Sequence, residues 1–209
     1  MNAYLFDLDG TLIDSMPTYI TVMLRFLDKY HIPYEKDIVK TITPLGYKGT
    51  AEYYKKLGVD LSVDDIVKQL KSEIQKEYEN NIPAKENVIS VLKALKKRGA
   101  TLNVLTASPH AMLDCCLKRL GIFDLFENVW SCDDFNRKKT EVAIYRETAD
   151  KMGVDIKNIA FLDDNLLALT TAKRAGMHVF GVYDKSSQEY AEEIKKISEK
   201  YIVDFCSLL

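Results

Sequence analysis

The chain has 209 residues, of which 47% are hydrophobic and 29% are charged, a composition that is typical of a folded domain and excludes a disordered chain. Its 29 basic residues nearly balance its 31 acidic ones, and no long basic block is present, so we expect neither a nucleic-acid-binding surface nor a membrane-surface helix. The chain shows no leader-like start, no apolar run long enough to span a bilayer and no metal or disulfide spacing among its cysteines, which predicts a cytoplasmic protein with reduced thiols.

Short apolar runs bounded by polar residues or glycine recur along the chain and predict buried parallel strands. The predicted strands are residues 3–8, 101–105, 128–131, 158–162, 177–182 and 201–204. Amphipathic helices lie between them, and one of these is predicted to begin with Ser108 as its N-cap and Pro109 as its first helical residue. This alternation predicts an α/β fold, with a Rossmann-like parallel sheet covered by helices on both faces.

Residues 16–83 break the alternation, because they contain helical patterns but no convincing strand. Ser62 and Asp65 form a capping box at the start of one of these helices. We expect a small helical cap domain at residues 16–83, inserted into a core domain made of residues 1–15 and 84–209. Its first helix is predicted to bury one apolar stripe, consisting of Met16, Tyr19, Ile20, Met23, Leu24, Leu27 and Tyr30.

Chemically capable side chains follow the first four predicted strands, at the carboxyl edge where open α/β sheets bind ligands. In chain order they are Asp7, Asp9 and Gly10, then Thr106, Ala107 and Ser108, then Asp133, Asp134, Lys138 and Lys139, and finally Asp163 and Asp164. Spacing alone does not choose between the two acidic pairs, or between the two lysines.

Converging carboxylates without nearby cysteine or histidine favour a hard cation such as Mg²⁺. A helix amino terminus fronted by hydroxyl groups favours phosphate, and a lysine would neutralise both groups. Together these features predict phosphoryl transfer. Of Asp7 and Asp9, one would attack phosphorus while ionised, and the other, with a raised pKa, would protonate the leaving oxygen and then deprotonate water.

The order of these motifs resembles the haloacid dehalogenase superfamily of hydrolases, in particular its phosphatase and phosphomutase branch with a helical cap, over nearly the whole chain. "FDLDGTLIDS" matches the first family motif, and the resemblance implies that Asp7 is the nucleophile and Asp9 the acid and base. "LNVLTAS" matches the second motif, which implies that Thr106 binds phosphate together with Ala107.

"RKKTEVAIY" and "IAFLDDN" match the third and fourth motifs. From its distance to the fourth motif, the resemblance favours Lys139 over Lys138 as the phosphate-binding lysine. It also selects the later acidic pair, so that the implied Mg²⁺ ligands are Asp7, Asp9, Asp163 and Asp164. Thr140, Ala107 and Ala168 depart from the family pattern without removing a charged or catalytic group.

The resemblance implies a Mg²⁺-dependent phosphatase that acts on small phosphorylated metabolites, such as sugar phosphates or phosphoglycolate, through an aspartyl-phosphate. Within the cap, "TPLGYKGTAEYY" is predicted to be loop-like, with Lys48 as a substrate contact, and Arg25 is the only arginine. Similar phosphomutases place cationic side chains on the cap, so the alternative of a β-phosphoglucomutase-like enzyme is less favoured. A non-catalytic protein that binds a phosphorylated ligand is the alternative from another class. We expect a monomer or weak dimer.

Overall fold

The computed structural model describes residues 2–35, 37–42 and 45–209. These residues form two compact units, an α/β unit made of Met1–Asp14 and Ile82–Leu209 and a helical unit made of Ser15–Asn81. The predicted domain boundaries, after residues 15 and 83, fall close to these divisions. Each unit is described separately below.

A six-stranded, wholly parallel sheet forms the centre of the α/β unit, which confirms the predicted fold class. Its continuous apolar runs are buried, as expected for strands that are covered on both faces. All six predicted strands form, although the first and last end two residues earlier than predicted. They are β1 (Ala3–Phe6), β2 (Thr101–Thr106), β3 (Asn128–Ser131), β4 (Ile159–Asp163), β5 (His178–Val182) and β6 (Lys200–Ile202), in the order β3-β2-β1-β4-β5-β6.

The strand order reverses beside β1, which makes its carboxyl end the natural ligand site of the sheet. Phe6 is in register with Val104 of β2 on one side and with Leu162 of β4 on the other. The backbone N–H of Asp7 extends this pairing by donating to the carbonyl of Leu162 over 2.9 Å. The residues that follow β1, β2 and β4 are therefore brought to one edge.

The helices of the α/β unit lie between its strands as predicted, with one correction at the start of α6. That helix has Pro109 rather than Ser108 as its N-cap, so the predicted capping role of Ser108 is wrong. Gly153 and Gly176 cap two helices in left-handed conformations. The helices are α5 (Val88–Lys97), α6 (His110–Arg119), α7 (Val142–Met152), α8 (Leu166–Ala175) and α9 (Ala191–Ile197).

Helices and no strands make up the described residues of the helical unit, as predicted. Ser62 caps its last helix by accepting a hydrogen bond from the N–H of Asp65 over 3.1 Å. None of the helices in the described ranges is long and apolar enough to cross a bilayer. The helices of this unit are α1 (Met16–Lys29), α2 (Ile38–Ile42), α3 (Gly46–Lys56) and α4 (Val63–Asn80).

Two details of the helical unit differ from the prediction. In α1 the predicted stripe accounts for part of the buried face: Leu27 is buried and Met23, Leu24 and Tyr30 pack against the core, but Val22 and Phe26, which lie outside the stripe, are buried too. The segment "TPLGYKGTAEYY" is helical from Gly46 onward, and its first two residues lie outside the described ranges. Burial of the apolar face of α3 outweighs the helix cost of an interior glycine, roughly 1 kcal/mol.

Candidate active site

Three carboxylates converge at the carboxyl edge of the sheet. Asp7, Asp163 and Asp164 each contribute an oxygen, and these oxygens all lie within 4.8 Å of one another. Asp7 directly follows β1, Asp163 is the last residue of β4, and all three residues are at most 9% exposed. The fold therefore brings Asp163 and Asp164 to Asp7.

Asp133 and Asp134, the other candidate pair, are exposed. The Asp134 carboxylate accepts from the backbone N–H of Ser131 over 2.9 Å and contacts His110 Nε2 at 2.8 Å. This pair stabilises the short helical turn after β3 and is not part of the carboxylate cluster.

Gly10 permits the turn after β1 to approach Asp164 closely. Its φ of +74° lies in the left-handed region, and a Cβ at this position would be 2.9 Å from the carboxylate atoms of Asp164. Any larger residue would be strained in its backbone and would press on a member of the cluster. The backbone conformation and the close contact with Asp164 therefore explain why glycine follows the second aspartate of the Asp-x-Asp-Gly sequence.

Lys139 is the cation of this site. Its Nζ forms a short ion pair with Asp7 and lies 2.9 Å from Asp163 Oδ2. The hydroxyl of Tyr145 donates to the backbone carbonyl of Lys139 over 3.0 Å and so fixes the segment before α7. Lys138 is exposed, so the structure places Lys139, and not its neighbour, beside the carboxylates.

The electrostatics of the cluster favour an additional positive charge. Burial, together with the charges of Asp163 and Asp9, raises the pKa of Asp7 to about 7 despite the opposing effect of Lys139. Burial and the neighbouring Asp163 and Asp7 also raise the pKa of Asp164. Burial alone would lower the pKa of Lys139, but Asp163 and Asp7 raise it above its ordinary value, so the lysine is charged.

A hard divalent cation fits the side chains present. The donors are carboxylate oxygens only, which suits Mg²⁺ better than a soft metal. The one positive charge of Lys139 does not balance the three carboxylates that it lies among when they are ionised. Asp7, Asp163 and Asp164 are therefore the residues that could hold such an ion.

Asp9 has a different environment from the three clustered aspartates. Its carboxylate is not among the converging oxygens, although it was predicted as a fourth metal ligand. Instead Asp9 Oδ2 accepts a hydrogen bond from Ser108 Oγ over 2.6 Å. The sequence did not predict this contact of Ser108. The only feature that could have indicated it is a hydroxyl residue two positions after the end of β2.

The predicted phosphate-binding residues lie at the end of β2. Thr106 is the last residue of the strand and is buried, and its Oγ1 accepts from the N–H of Ser108 over 3.1 Å. That bond leaves the hydroxyl hydrogen of Thr106 for another acceptor. Ala107 is exposed in the turn before α6. Lys48, the predicted substrate contact, belongs to the helical unit and is exposed on the first turn of α3.

A family model for haloacid dehalogenase-like hydrolases matches residues 4–182 of this chain. The chain belongs to this family. The predicted resemblance is thereby confirmed, and the match spans the α/β unit from β1 to β5 together with the inserted helices.

Several relatives of this haloacid dehalogenase-like hydrolase are named as phosphatases. It is 28% identical to the pyrophosphatase PpaX of Bacillus velezensis, over 87% of this chain and 83% of that protein. It is 23% identical to a phosphorylated carbohydrates phosphatase of Thermotoga maritima, over 87% of this chain and 85% of that protein. A predicted phosphoglycolate phosphatase from Haemophilus somnus has the same fold, with a TM-score of 0.83 at 24% identity over 100% of this chain and 96% of that one. The hydrolase is a phosphatase, as predicted.

A second charged pair lies at the same edge of the hydrolase and was not predicted. Lys85 Nζ is 2.8 Å from Asp184 Oδ2 and donates to the carbonyl of Tyr183 over 2.7 Å. Asp184 comes shortly after β5, and its charge raises the pKa of Asp164 while that of Lys85 lowers it. The pair therefore belongs to the electrostatic surroundings of the carboxylate cluster.

Proposed function

We propose that the chain is a Mg²⁺-dependent phosphatase of small phosphorylated metabolites that acts through an aspartyl-phosphate on Asp7. The observation that carries the proposal is the buried convergence of Asp7, Asp163 and Asp164 with Lys139. Catalysis of phosphoryl transfer consists largely of positioning and charge stabilisation, and this cluster offers both.

Phosphate recognition is proposed for the residues around the cluster. The Lys139 ammonium group would offset the charge of the transferred phosphoryl group. Thr106 would donate the hydroxyl hydrogen that its contact with Ser108 leaves available, and the turn at Ala107 would lie against the phosphate oxygens. This turn lies directly before the amino terminus of α6, where backbone N–H groups favour an anion.

Metal binding is proposed for Asp7, Asp163 and Asp164. Mg²⁺, when bound, would orient the phosphate and offset the negative charge that the lysine leaves uncompensated. Asp9 is proposed to serve as an acid and base, because its carboxylate is held by Ser108 outside the cluster of three.

The proposed reaction has two steps. In the first, a carboxylate oxygen of Asp7 bonds to phosphorus as the ester P–O bond breaks, and Asp9 gives its proton to the leaving oxygen. In the second, Asp9 takes a proton from water as the water oxygen bonds to phosphorus. The bond between Asp7 and phosphorus breaks, and inorganic phosphate is released.

Sugar phosphates and phosphoglycolate-like esters are the proposed substrates. The names of the relatives support small phosphorylated compounds as a class. We further propose that the helical unit is a cap that excludes water and sets specificity, with Lys48 as a substrate contact. Arg25 is the single arginine of this unit, and its Nη1 lies 3.0 Å from Glu77 Oε1. Because its charge is paired in this way, we favour hydrolysis of a monophosphate over a phosphomutase reaction that passes through a bisphosphate.

Phosphorus NMR with a panel of phosphorylated metabolites, including hexose 1-phosphates, tests this proposal. Wild type with Mg²⁺ is expected to release inorganic phosphate, and EDTA is expected to stop the release. The variant Asp7→Asn is expected to be folded and inactive. Normal turnover by that variant would contradict the mechanism, and an isomerised ester without phosphate release would indicate a phosphomutase instead.

A further inference from the structure

Ser108 connects the turn after β2 with the turn after β1 by two hydrogen bonds. Its hydroxyl donates to Asp9 Oδ2 over 2.6 Å, and its backbone N–H donates to Thr106 Oγ1 over 3.1 Å. Ser108 is 8% exposed and is 99 residues from Asp9 in the chain, so folding alone brings the two together. Helix capping does not account for its hydroxyl, because the N-cap of α6 is Pro109.

We propose that Ser108 is a positioning residue that holds the carboxyl group of Asp9 in the orientation from which it exchanges a proton with the reacting groups. The inference rests on the proposed function, since it requires Asp9 to be the acid and base. Ser108 itself would not touch the atoms that react.

Proton transfer depends strictly on geometry, so an interaction that fixes the carboxyl group of Asp9 increases the rate. A general acid must come within hydrogen-bond distance of the oxygen that it protonates, and a misplacement of about 1 Å costs on the order of 100-fold in rate. A free aspartate side chain rotates about two bonds. A hydrogen bond to Oδ2 restricts this rotation and so holds the carboxyl group in one orientation.

A serine is suited to both halves of the cycle. Its hydroxyl donates to Oδ2 of the ionised carboxylate, and it can go on donating to the same oxygen when the other carboxyl oxygen carries the proton. Asp9 passes through both states, since it loses a proton to the leaving oxygen and regains one from water. Ser108 can therefore keep its contact with Asp9 throughout, without any movement of the backbone.

The dependence of the rate on the leaving group distinguishes this role from a structural one. In the first step the bond between Asp7 and phosphorus forms, the ester P–O bond breaks, and the proton of Asp9 goes to the leaving oxygen. An alkoxide needs that proton, whereas p-nitrophenolate leaves as a stable anion. Since kcat/KM reports steps up to the release of the alcohol, only alkyl esters should respond to a misplaced Asp9.

A structural role of Ser108 makes the opposite prediction. If the residue only shaped the turn around Thr106, its loss would weaken phosphate binding for every substrate alike. Alkyl and aryl esters would then lose the same factor in kcat/KM, chiefly through KM.

The test measures kcat/KM for p-nitrophenyl phosphate and for the alkyl ester that the phosphorus NMR panel ranks first. For Ser108→Ala we expect a loss of roughly 10- to 100-fold with the alkyl ester and less than about threefold with the aryl ester. Ser108→Thr should restore the alkyl activity, because it keeps the hydroxyl. Ser108→Cys retains the side-chain size but donates weakly, so it should show the same selectivity to a smaller degree.

Asp9→Asn is the reference variant, and it should show the same selectivity more strongly. Equal losses for both esters in Ser108→Ala, beside a selective loss in Asp9→Asn, would overturn the role of Ser108 alone. Equal losses in Asp9→Asn would contradict the proposed acid role of Asp9, and with it the inference. Thermal unfolding of each variant shows whether it is folded.

Discussion

Lys139 and Asp7 are 132 residues apart in the chain and form a buried ion pair at the carboxyl edge of the sheet. The same ammonium group reaches Asp163, so a single cation lies between the ends of β1 and β4. This contact links the proposed nucleophile to the proposed metal ligands, and it makes Lys139 the first residue to test.

Replacing Lys139 by methionine should lower both activity and stability. Removing one partner of a buried ion pair typically costs about 3–5 kcal/mol, because a charge is left buried and unpaired. The free energy of unfolding from urea titration should therefore fall by a few kcal/mol, and phosphatase turnover should fall by at least about 100-fold.

Lys138→Met is the matched control, since Lys138 is the exposed neighbour. Its stability should stay within about 0.5 kcal/mol of wild type, as for most surface substitutions. Equal effects of the two variants would contradict the assignment of Lys139.

Mg²⁺ should stabilise the wild-type protein by binding the folded state. At a concentration of 100 times its dissociation constant, an ion adds about 2.7 kcal/mol to the free energy of unfolding. The variant Asp164→Asn should lose this increment. Without metal it should be no less stable than wild type, because burial and the neighbouring carboxylates disfavour the ionised Asp164.

Asp133→Asn controls for the removal of a surface charge, as Asp133 is exposed and outside the cluster. Differential scanning calorimetry with and without Mg²⁺ compares the three proteins. An Asp164→Asn protein that is stabilised as much as wild type would argue against the metal site.

Gly10→Ala should disturb the site beyond its cost to the backbone. Gly10 and Gly99 have φ values of +74° and +84°, so alanine at either position incurs a similar strain of roughly 1–2 kcal/mol. Only at Gly10 does the added Cβ come within 2.9 Å of Asp164, while at Gly99 no described atom lies within 4 Å of it.

We therefore expect Gly10→Ala to weaken Mg²⁺-dependent activity by more than about tenfold and Gly99→Ala to leave it near wild type. Titration of the phosphatase rate with Mg²⁺ measures this difference. Similar Mg²⁺ dependence in the two variants would show that the approach of Gly10 to Asp164 has no functional consequence.

His110 should make a contribution to stability that depends on pH. Its hydrogen bonds to Asp114 and Asp134 raise the pKa of the imidazole above its ordinary value. A pKa that is higher in the folded state stabilises the protein below the unfolded value of about 6.5, and the contribution is lost as pH rises through the folded value.

His110→Gln should therefore be less stable than wild type at pH 6 and nearly equal to it at pH 9. The difference should be below about 1 kcal/mol, because the side chain is 43% exposed and the interaction is screened. Urea unfolding at the two pH values measures it, and a larger loss at pH 9 would reverse the sign of this argument.

Much of the sheet and of the cluster was predictable from local signals. β1 and the first four residues of β4 are apolar runs, and an aspartate comes directly after each run, so parallel pairing places those aspartates together. The choice between Lys138 and Lys139 was different, because adjacent lysines carry the same local signal. The spacing to the fourth motif favoured Lys139, and the contacts of the folded chain place Lys139 beside Asp7 and Asp163.

The mistaken predictions share one physical cause, which is that tertiary packing outweighs local preference. The Ser-Pro sequence predicts Ser108 as an N-cap, but its hydroxyl donates to the carboxylate of Asp9 in the turn after β1 instead. The glycines at positions 46 and 49 read as a loop, yet the buried Ala51 and Tyr54 stabilise α3. In α1 the predicted stripe was incomplete rather than wrong, since Leu27 is buried and Met23 and Leu24 pack against the core, but Val22 and Phe26 are buried as well.

Trapping the covalent intermediate tests the central claim most directly. Wild type with Mg²⁺ and its best ester would be quenched during turnover and reduced with borohydride, which converts an aspartyl-phosphate to homoserine. Peptide mass spectrometry should then find homoserine at position 7 in wild type and none in Asp7→Asn. Modification at another residue, or active turnover without any modification, would contradict the account.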